Sequence, residues 1–259
     1  MDFEHIRLEQ SPAAVATLTL DRPDTLNALN GAMVDELRAA VESLGASGAR
    51  CLLITGEGRG FSSGADLAGG GGLPQDAGLA LEKHFNPLVE ALFALPIPVV
   101  AAVNGPAAGA GCSLALAADI VLAARSAYFL QAFINIGLIP DAGATWLLPR
   151  LAGRARAMEM MMLGERISAE QAQGWGLISR VVEDEHLASE AVLLATNLAQ
   201  GPTVALGLVR KLARNSEQLS LTEALAAERA AQREAGQTDD FKAAVMAFLQ
   251  KHQARFEGR

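Results

Sequence analysis

Hydrophobic and polar residues alternate along two stretches near the start of the chain, residues 3–9 and 14–20. Alternation with a period of two is typical of a β-strand with one buried face. Ser11 and Pro12 lie between the two stretches and supply a turn signal. The pattern therefore predicts a β-hairpin at the start of the chain.

The hydrophobic spacing changes to that of a helix after residue 30. Met33, Leu37, Val41 and Leu44 recur at intervals of three or four residues, which puts them on one face of an α-helix. Asn30 stands just before this stretch, and asparagine is a favoured N-cap residue. We expect an amphipathic helix that is capped by Asn30 and buries this apolar face.

Short apolar runs and helical patterns alternate through the middle of the chain. The runs at residues 51–55, 99–103 and 120–123 have the length and the flanking residues of buried strands. Residues 76–94 and 112–117 have helical patterns and lie between these runs. Such alternation is typical of parallel strands that are joined by crossover helices.

The last hundred residues are predicted to be mostly helical from Gly153 onward. Ser168 and Gln171 have the spacing of a capping box, and residues 178–182 form the one strand-like stretch. Further helices are expected near residues 186–199, 202–214, 220–235 and 238–251.

Composition narrows the functional classes. Hydrophobic residues make up 51% of the 259 residues and charged residues 19%, which is enough apolar material for a core. The net charge of −8 and the pI near 5.1 argue against nucleic-acid binding, which needs a basic surface.

We see no signal peptide and no apolar run long enough to span a bilayer, so the sequence predicts a cytoplasmic protein with no membrane partner. Cys51 and Cys112 predict buried thiols, and no metal-ligand spacing is present.

Two segments rich in small residues follow the first two predicted buried strands. Residues 61–67 read Phe-Ser-Ser-Gly-Ala-Asp-Leu, and residues 104–112 read Asn-Gly-Pro-Ala-Ala-Gly-Ala-Gly-Cys. Ligands of α/β sheets bind at the carboxyl ends of strands, and two main-chain N–H groups directed at one oxygen form an oxyanion hole. Either segment alone is also what an ordinary turn would contain. Four glycines at residues 69–72 lie between the segments and predict a mobile loop.

These two segments belong to a wider set of motifs. The others are Asp21-Arg22-Pro23, Asn27-Ala28-Leu29-Asn30, Gly137-Leu138-Ile139-Pro140-Asp141-Ala142-Gly143, Leu148-Pro149-Arg150, Gly164-Glu165-Arg166-Ile167-Ser168-Ala169, Gly174-Trp175-Gly176-Leu177-Ile178 and Ala247-Phe248-Leu249 with Lys251. In this order they resemble the enoyl-CoA hydratase/isomerase (crotonase) superfamily over nearly the whole chain. The resemblance is greatest to the subgroup of ring-1,2-epoxyphenylacetyl-CoA and Δ3,Δ2-enoyl-CoA isomerases.

The resemblance implies an α/β fold, a crotonase-like spiral of ββα repeats with a C-terminal helical trimerisation region. We assign residues 1–197 to the spiral core with the CoA-thioester site, and residues 198–259 to the helical region that forms trimers and covers the pocket. The expected assembly is a homotrimer or a dimer of trimers. The expected partner is an acyl-CoA substrate, with no separate cofactor because coenzyme A is part of that substrate.

The resemblance also implies the roles of individual site residues. The N–H groups of Ala65 and Ala110 are expected to hold the thioester oxygen, and no metal is expected. The further substrate-binding residues that it implies are Ser63, Gly64, Asp66, Leu67 and Gly109 near this oxygen, Phe133 and Trp146 along the acyl pocket, and Phe248 and Lys251 at the nucleotide of a neighbouring subunit. Simpler roles are also open: Asp66 could only tie down its loop, Phe133 and Trp146 could be core residues, and Lys251 could be a solvated charge.

The choice of reaction depends on three positions. Hydratases of this family resemble one another in carrying two glutamates, and the corresponding positions here are Ser113 and Phe133. Neither residue is a suitable base. Asp141 remains and resembles the acid/base of the isomerase subgroup; if it faces Phe133, desolvation should raise its pKa. From the local sequence alone, Asp141 also fits an N-cap for a helix that starts at Ala142.

An isomerase that acts through an enolate is therefore the leading hypothesis, either for a double-bond shift in an enoyl-CoA or for a ring-epoxide rearrangement. One alternative is a hydratase in which Asp141 alone activates water. Another is a catalytically silent protein that binds acyl-CoA. Among other polar residues, His84 is expected to be exposed and Asp119 to end the helix before it.

Overall fold

Nine strands build two sheets in the computed structural model, which describes residues 2–67 and 76–259. The strands are β1 Ile6–Gln10, β2 Val15–Leu20, β3 Cys51–Gly56, β4 Val99–Val103, β5 Ala107–Ala108, β6 Ile120–Ala124, β7 Tyr128–Leu130, β8 Ile167–Ser168 and β9 Arg180–Val182. The larger sheet has the order β1-β2-β3-β4-β6-β9, and the smaller one β5-β7-β8. The glycines at 69–72, for which a mobile loop is predicted, lie outside the described residues.

Ten α-helices connect and cover these strands within the described residues. They are α1 Gly31–Ser47, α2 Ala77–Ala80, α3 Asn86–Ala94, α4 Ala110–Leu116, α5 Ala144–Leu163, α6 Ala169–Gly174, α7 Leu187–Ala199, α8 Thr203–Asn215, α9 Leu221–Ala235 and α10 Asp239–Leu249. The mixed sheets and the helical C-terminal region give an α/β protein.

The hairpin and the parallel sheet are confirmed. β1 pairs antiparallel with β2, and Ile6 lies opposite Leu20. From β2 to β9 every neighbouring pair in the larger sheet is parallel, with helices between successive strands. The carboxyl ends of β3 and β4 therefore meet at the same edge of the sheet, and the two small-residue segments leave from that edge.

Helix α1 begins where its sequence predicts. The N–H of Met33 donates to Oδ1 of Asn30 at 2.8 Å, so the N-cap is confirmed. Met33, Leu37, Val41 and Leu44 are all buried against the sheet. Gly48 ends the helix with a φ of 77°, a conformation that glycine adopts without a steric penalty.

The prediction of a single helix over residues 76–94 is wrong in detail. α2 is followed by a π-helical stretch, Leu81–Phe85, and only then by α3. Pro87 has no N–H to continue an α-helical ladder, and the N–H of Asn86 bonds to the carbonyl of Leu81 five residues earlier. The proline therefore accounts for the change in helical hydrogen bonding.

Helical structure in the second half begins earlier than predicted. α5 starts at Ala144 rather than at Gly153, and Gly153 is instead a break within it, with φ 75° and ψ 160°. Ser168 caps α6 by accepting from the N–H of Gln171. The predicted strand over 178–182 is confirmed in its last three residues, as β9.

The C-terminal helices attach to the sheet through α7 and α8. α7 packs against β3, β4 and β6. The boundary predicted between residues 197 and 198 stays a prediction, and it falls near the C-terminal end of α7. Several large apolar side chains of α9 and α10 are exposed in the single chain, among them Leu221, Phe241 and Phe248.

A buried arginine holds α8 in place. Nε of Arg210 donates to Oδ2 of Asp119 at 2.7 Å, and its Nη atoms donate to the carbonyls of Leu92, Phe93 and Leu95. Asp119 was expected to end a helix. Instead it pairs with Arg210 and Arg214 of α8 and accepts the N–H of Val99 at the start of β4.

No single helix within residues 2–67 and 76–259 has both the length and the hydropathy needed to cross a bilayer. One bent pair, Asp184–Ala199 with Thr203–Gln218, satisfies the criteria of length and composition together, with an angle of 104° between its halves.

Arg210→Ala should lower the free energy of unfolding by about 3 kcal/mol, because it leaves the Asp119 carboxylate and three carbonyls without their donor. Urea denaturation measures the change. Arg154→Ala is the matched control, since Arg154 is exposed, and it should change stability by less than about 0.5 kcal/mol. Equal effects of the two substitutions would contradict this account of how α8 is held.

Candidate active site

The first segment is fixed by buried polar contacts just after β3. The hydroxyl of Ser62 donates to the carbonyl of Asn27 at 2.8 Å, and the N–H of Gly64 donates to that hydroxyl oxygen at 3.2 Å. Asn27 is fully buried, and its side-chain amide donates to the carbonyls of Glu57 and Gly60. Asn27 therefore anchors the segment, a role that the sequence alone did not reveal.

The N–H of Ala65 points away from Leu29, the residue with which Ala65 is paired. Leu29 forms a parallel bridge with Ala65: its N–H donates to the carbonyl of Gly64, and its carbonyl accepts the N–H of Asp66. In a parallel bridge the residue between these two bonds points its own N–H to the other side. Within the described residues the Ala65 N–H donates no hydrogen bond, so it is available to a ligand.

The second segment lies directly beside the first. The N–H of Ala108 donates to the carbonyl of Ser62 at 2.9 Å, and the N–H of Gly109 donates to the carbonyl of Leu130 at 2.8 Å. Ala110 is the first residue of α4, and no acceptor for its N–H lies in the described part of the chain. The first residues of a helix lack intrahelical acceptors, so this N–H is also available.

Two glycines permit this close approach. A Cβ on Gly64, whose φ is +92°, would lie 2.7 Å from the carbonyl oxygen of Ala108. A Cβ on Gly111 would lie 2.5 Å from Cβ of Ser62. Any larger residue would push the segments apart, so the spacing of the Ala65 and Ala110 amides depends on these two positions.

Asp141 lies on a turn that contacts the start of α4. The hydroxyl of Ser113 donates to the main-chain carbonyl of Asp141 at 3.0 Å. The ring of Phe133 covers Gly109, since a Cβ there would lie 3.5 Å from Cζ of Phe133. Asp141 therefore contacts the helix that the second segment begins, and Phe133 contacts the second segment itself.

The side chain of Asp141 does not cap a helix. α5 begins at Ala144 with Gly143 as its N-cap and has no side-chain cap, so the N-cap interpretation is wrong. Oδ1 of Asp141 is buried and has no hydrogen-bond partner among the described residues. Burial raises the pKa of Asp141 from 3.8 to about 6, which confirms the predicted direction. A carboxyl with this pKa can accept and return a proton near neutral pH.

The remaining residues of the first segment have mixed surroundings. Asp66 pairs with Arg22 at 3.0 Å, which fits the expectation that it ties down its loop. The hydroxyl of Ser63 donates to the carbonyl of Thr25, and the Leu67 side chain is exposed. These residues flank the Ala65 amide, and their roles in substrate binding stay predictions.

Trp146 contacts Phe93 and Arg150. Its ring meets Phe93 edge to face at 5.7 Å, and the guanidinium of Arg150 lies 4.0 Å above it. These residues line a groove of about 470 Å³ beside α8, and that groove does not include Asp141. The contacts of Trp146 in the single chain therefore do not support its predicted position along the acyl pocket.

Three other residues that the sequence analysis considered have surroundings of their own. Phe248 is 81% exposed near the end of α10, and Lys251 follows it on the surface, so their predicted contact with a neighbouring subunit's nucleotide stays a prediction. His84 was expected to be exposed, but it is half-buried. Its Nδ1 lies 3.0 Å from Oδ1 of Asp35, and its ring packs against Gly31 of α1.

Comparison with known proteins identifies the family. A family described as enoyl-CoA hydratase/isomerase matches residues 10–259. The chain belongs to the enoyl-CoA hydratase/isomerase family. It is 49% identical to the 1,2-epoxyphenylacetyl-CoA isomerase of Escherichia coli over 95% of both chains. It is 46% identical to a Rhodobacter capsulatus protein named "Probable enoyl-CoA hydratase" over the full length of both.

The fold of this family member is the expected one. The crystal structure of enoyl-CoA hydratase from Bacillus anthracis superposes with a TM-score of 0.94, at 31% identity, over 99% of this chain and 100% of that one. The crotonase fold is therefore confirmed, and the chain is an enzyme of the hydratase/isomerase family. Among the described residues, no group of three His, Cys, Asp or Glu side chains is arranged to hold a metal ion.

Gly64→Ala should destabilise this family member more than Gly137→Ala. Both glycines have positive φ, so either substitution costs about 1 kcal/mol of backbone strain. An added Cβ at Gly137 meets open space, whereas at Gly64 it meets the Ala108 carbonyl oxygen. Urea denaturation of the pair should separate them by at least about 1 kcal/mol. Equal losses would mean that the two segments are not in close contact.

Asp141→Asn should alter how stability depends on pH. The pKa of Asp141 is higher in the folded chain than the ordinary 3.8, so the folded state binds the proton more tightly than the unfolded state. Ionisation therefore lowers stability as the pH rises from about 4 to about 6, and the loss levels off above that. Relative to wild type, the variant should gain at most about 3 kcal/mol of stability between pH 4 and pH 8.

Asp184→Asn is the control for this pH series. The pKa of Asp184 is lowered, first by a hydrogen bond from the Ser126 side chain, so its ionised form stabilises the folded state. This variant should not gain stability with rising pH. Parallel curves for wild type and Asp141→Asn would contradict the burial of an ionisable Asp141 carboxyl.

Proposed function

We propose that this enzyme isomerises an acyl-CoA thioester, with Asp141 as its acid/base and the Ala65 and Ala110 amides as its oxyanion hole. The observation that carries the proposal is the half-buried Asp141 carboxyl. Its Oδ1 is buried and has no partner in the described part of the chain, and its pKa is raised to about 6. An isomerase needs one such group, because the proton that leaves one carbon returns to another.

The proposed double-bond shift needs only these groups. The Asp141 carboxylate removes a proton from C2 of a 3-enoyl-CoA, and the C–H electron pair moves into a dienolate. The negative charge develops on the thioester oxygen, where two N–H donors stabilise it more than they stabilise the starting carbonyl. Asp141 then returns the proton to C4, which gives the 2-enoyl-CoA. Atoms and charge balance without a cofactor, and we propose none.

The two positions that carry glutamates in hydratases support the same choice. Ser113 is buried and its hydroxyl is engaged with a main-chain carbonyl, and Phe133 packs on Gly109. Neither residue can activate water as a carboxylate does. The similarity to a 1,2-epoxyphenylacetyl-CoA isomerase supports a ring epoxide as a second substrate class, and the similarity to a protein named as a hydratase keeps hydration as the alternative.

We also propose that the active form is a homotrimer or a dimer of trimers. The exposed apolar side chains of α9 and α10 support this assembly, because such surface is normally covered. Phe248 and Lys251 would then contact the coenzyme A nucleotide held by a neighbouring subunit. Residues 198–259 would form the region that joins the subunits.

Asp141→Asn should abolish isomerisation of a 3-enoyl-CoA, because the amide can neither take nor return the proton. Chromatography separates the 2-enoyl product from the 3-enoyl substrate, and mass spectrometry after reaction in deuterated water reports any exchange of the transferred proton. A general acid/base contributes about 100-fold to 10,000-fold, so the loss should reach that range. Wild-type kcat/KM should rise with pH through about 6, as the Asp141 carboxylate forms. Asp184→Asn, at an exposed turn, should retain wild-type rates.

The products decide among the alternatives. A 3-hydroxyacyl-CoA formed from a 2-enoyl-CoA would favour hydration with Asp141 as the sole carboxylate. Conversion of 1,2-epoxyphenylacetyl-CoA alone would restrict the proposal to the ring substrate. Binding of these esters without any reaction would leave the silent acyl-CoA-binding protein as the better description.

A further inference from the structure

Ser113 has no part in the proposed proton transfer, yet it joins the two halves of the site. It is the fourth residue of α4 and is 1% exposed. Its hydroxyl oxygen lies 3.0 Å from the carbonyl oxygen of Asp141 and 3.3 Å from that of Gly109. Gly109 directly precedes the Ala110 amide. One side chain therefore spans from the oxyanion-hole helix to the acid/base turn.

The direction of this hydrogen bond follows from proton counting. A serine hydroxyl carries one proton, so it can donate fully to only one of the two carbonyls. The Gly109 carbonyl also accepts the N–H of Ser113 itself, as the first turn of α4 requires. The shorter distance is to Asp141, so the Ser113 hydroxyl donates there. A buried hydroxyl pays a desolvation cost unless it is bonded, which holds both partners in place.

The turn that follows Asp141 needs such a contact. Ala142 has a φ of +49° and Gly143 a φ of +83°, so two consecutive residues are left-handed. An alanine in this region costs about 1 kcal/mol, and it persists where the surroundings hold it. Ala142 is buried, and the carbonyl of Asp141 accepts both the Ser113 hydroxyl and the N–H of Ala144. The Ser113 bond therefore contributes to keeping the turn in its strained form.

We propose that Ser113 is a positioning residue, whose hydroxyl fixes the Asp141 turn relative to the start of α4 and thereby aligns the acid/base carboxyl with the oxyanion hole. The inference rests on the proposed function for its catalytic meaning. Its structural part, the placement of the Asp141 carboxyl, holds whichever CoA ester is the substrate.

The test separates the hydrogen bond from the volume of the side chain. Ser113→Ala removes the hydroxyl, and Ser113→Cys nearly restores the volume with a much weaker donor. A displacement of about 1 Å costs on the order of 100-fold in rate, so kcat should fall about 10-fold to 100-fold in both variants. KM should change by less than about twofold, since the two amides that hold the thioester remain.

Ser43→Ala is the matched control. The Ser43 hydroxyl likewise donates to a main-chain carbonyl, but its acceptor is Ala40 of its own helix, α1, at 2.7 Å. It should retain wild-type kcat. Full activity of Ser113→Cys beside a slow Ser113→Ala would show that volume alone matters and would overturn the proposal, as would full activity of both.

A second measurement does not depend on turnover. The 13C resonance of the Asp141 carboxyl reports its titration in wild type and in Ser113→Ala. Relaxation of the turn should admit water and move the titration midpoint downward by about one pH unit. An unchanged midpoint would overturn the inference. The Asp141 titration midpoint could shift in Ser113→Ala although the wild-type protein isomerises no CoA ester. That result would contradict the proposed function and still support the role of Ser113 in placing Asp141.

Discussion

Main-chain contact between two loops is the constraint on which the rest of this structure depends. The loops leave β3 and β4 at the same edge of a parallel sheet, and they touch where Gly64 meets the Ala108 carbonyl and Gly111 meets Ser62. The hydrogen bond from the N–H of Ala108 to the carbonyl of Ser62 holds this contact. The Ala65 and Ala110 N–H groups, which donate no hydrogen bond within the described residues, belong to these two segments.

The carboxyl of Asp141 shows the energetic cost of an ionisable group that the fold desolvates. Its burial makes the ionised form less stable and raises its pKa, so the fold is less stable at neutral pH than an uncharged residue would make it. The same burial gives the group a useful proton affinity near neutral pH. The same turn contains the left-handed Ala142, and the Ser113 hydroxyl donates a hydrogen bond to its Asp141 carbonyl.

The C-terminal helices depend on a different interaction. Arg210 carries a buried charge, and its bonds to Asp119 and to three main-chain carbonyls attach α8 to the end of the sheet. A charge buried with this many partners is costly to disturb, because removing one leaves the others unsatisfied. Helices α9 and α10, which carry the exposed apolar residues, follow this attached helix α8 in the chain.

Local patterns in the sequence determined much of the fold. The hairpin, the buried strands and the Asn30 cap follow from spacing and from single residues, because these features depend on neighbours in the chain. The motifs also indicated Ala65, Ala110 and Asp141 as the centre of the site. The sequence did not predict the π-helical stretch before Pro87 or the early start of α5, because both depend on how hydrogen bonds are shared along a helix.

Only the tertiary structure decided the environment of the side chains. It paired Asp119 with Arg210, directed Trp146 toward Phe93 and left Asp141 without a helix to cap. It also gave Ser113 its contact with the Asp141 carbonyl, 28 residues away along the chain. Burial, desolvation and hydrogen bonding across the fold are set by residues that are distant in sequence, so a local pattern can identify a candidate residue but cannot fix its surroundings.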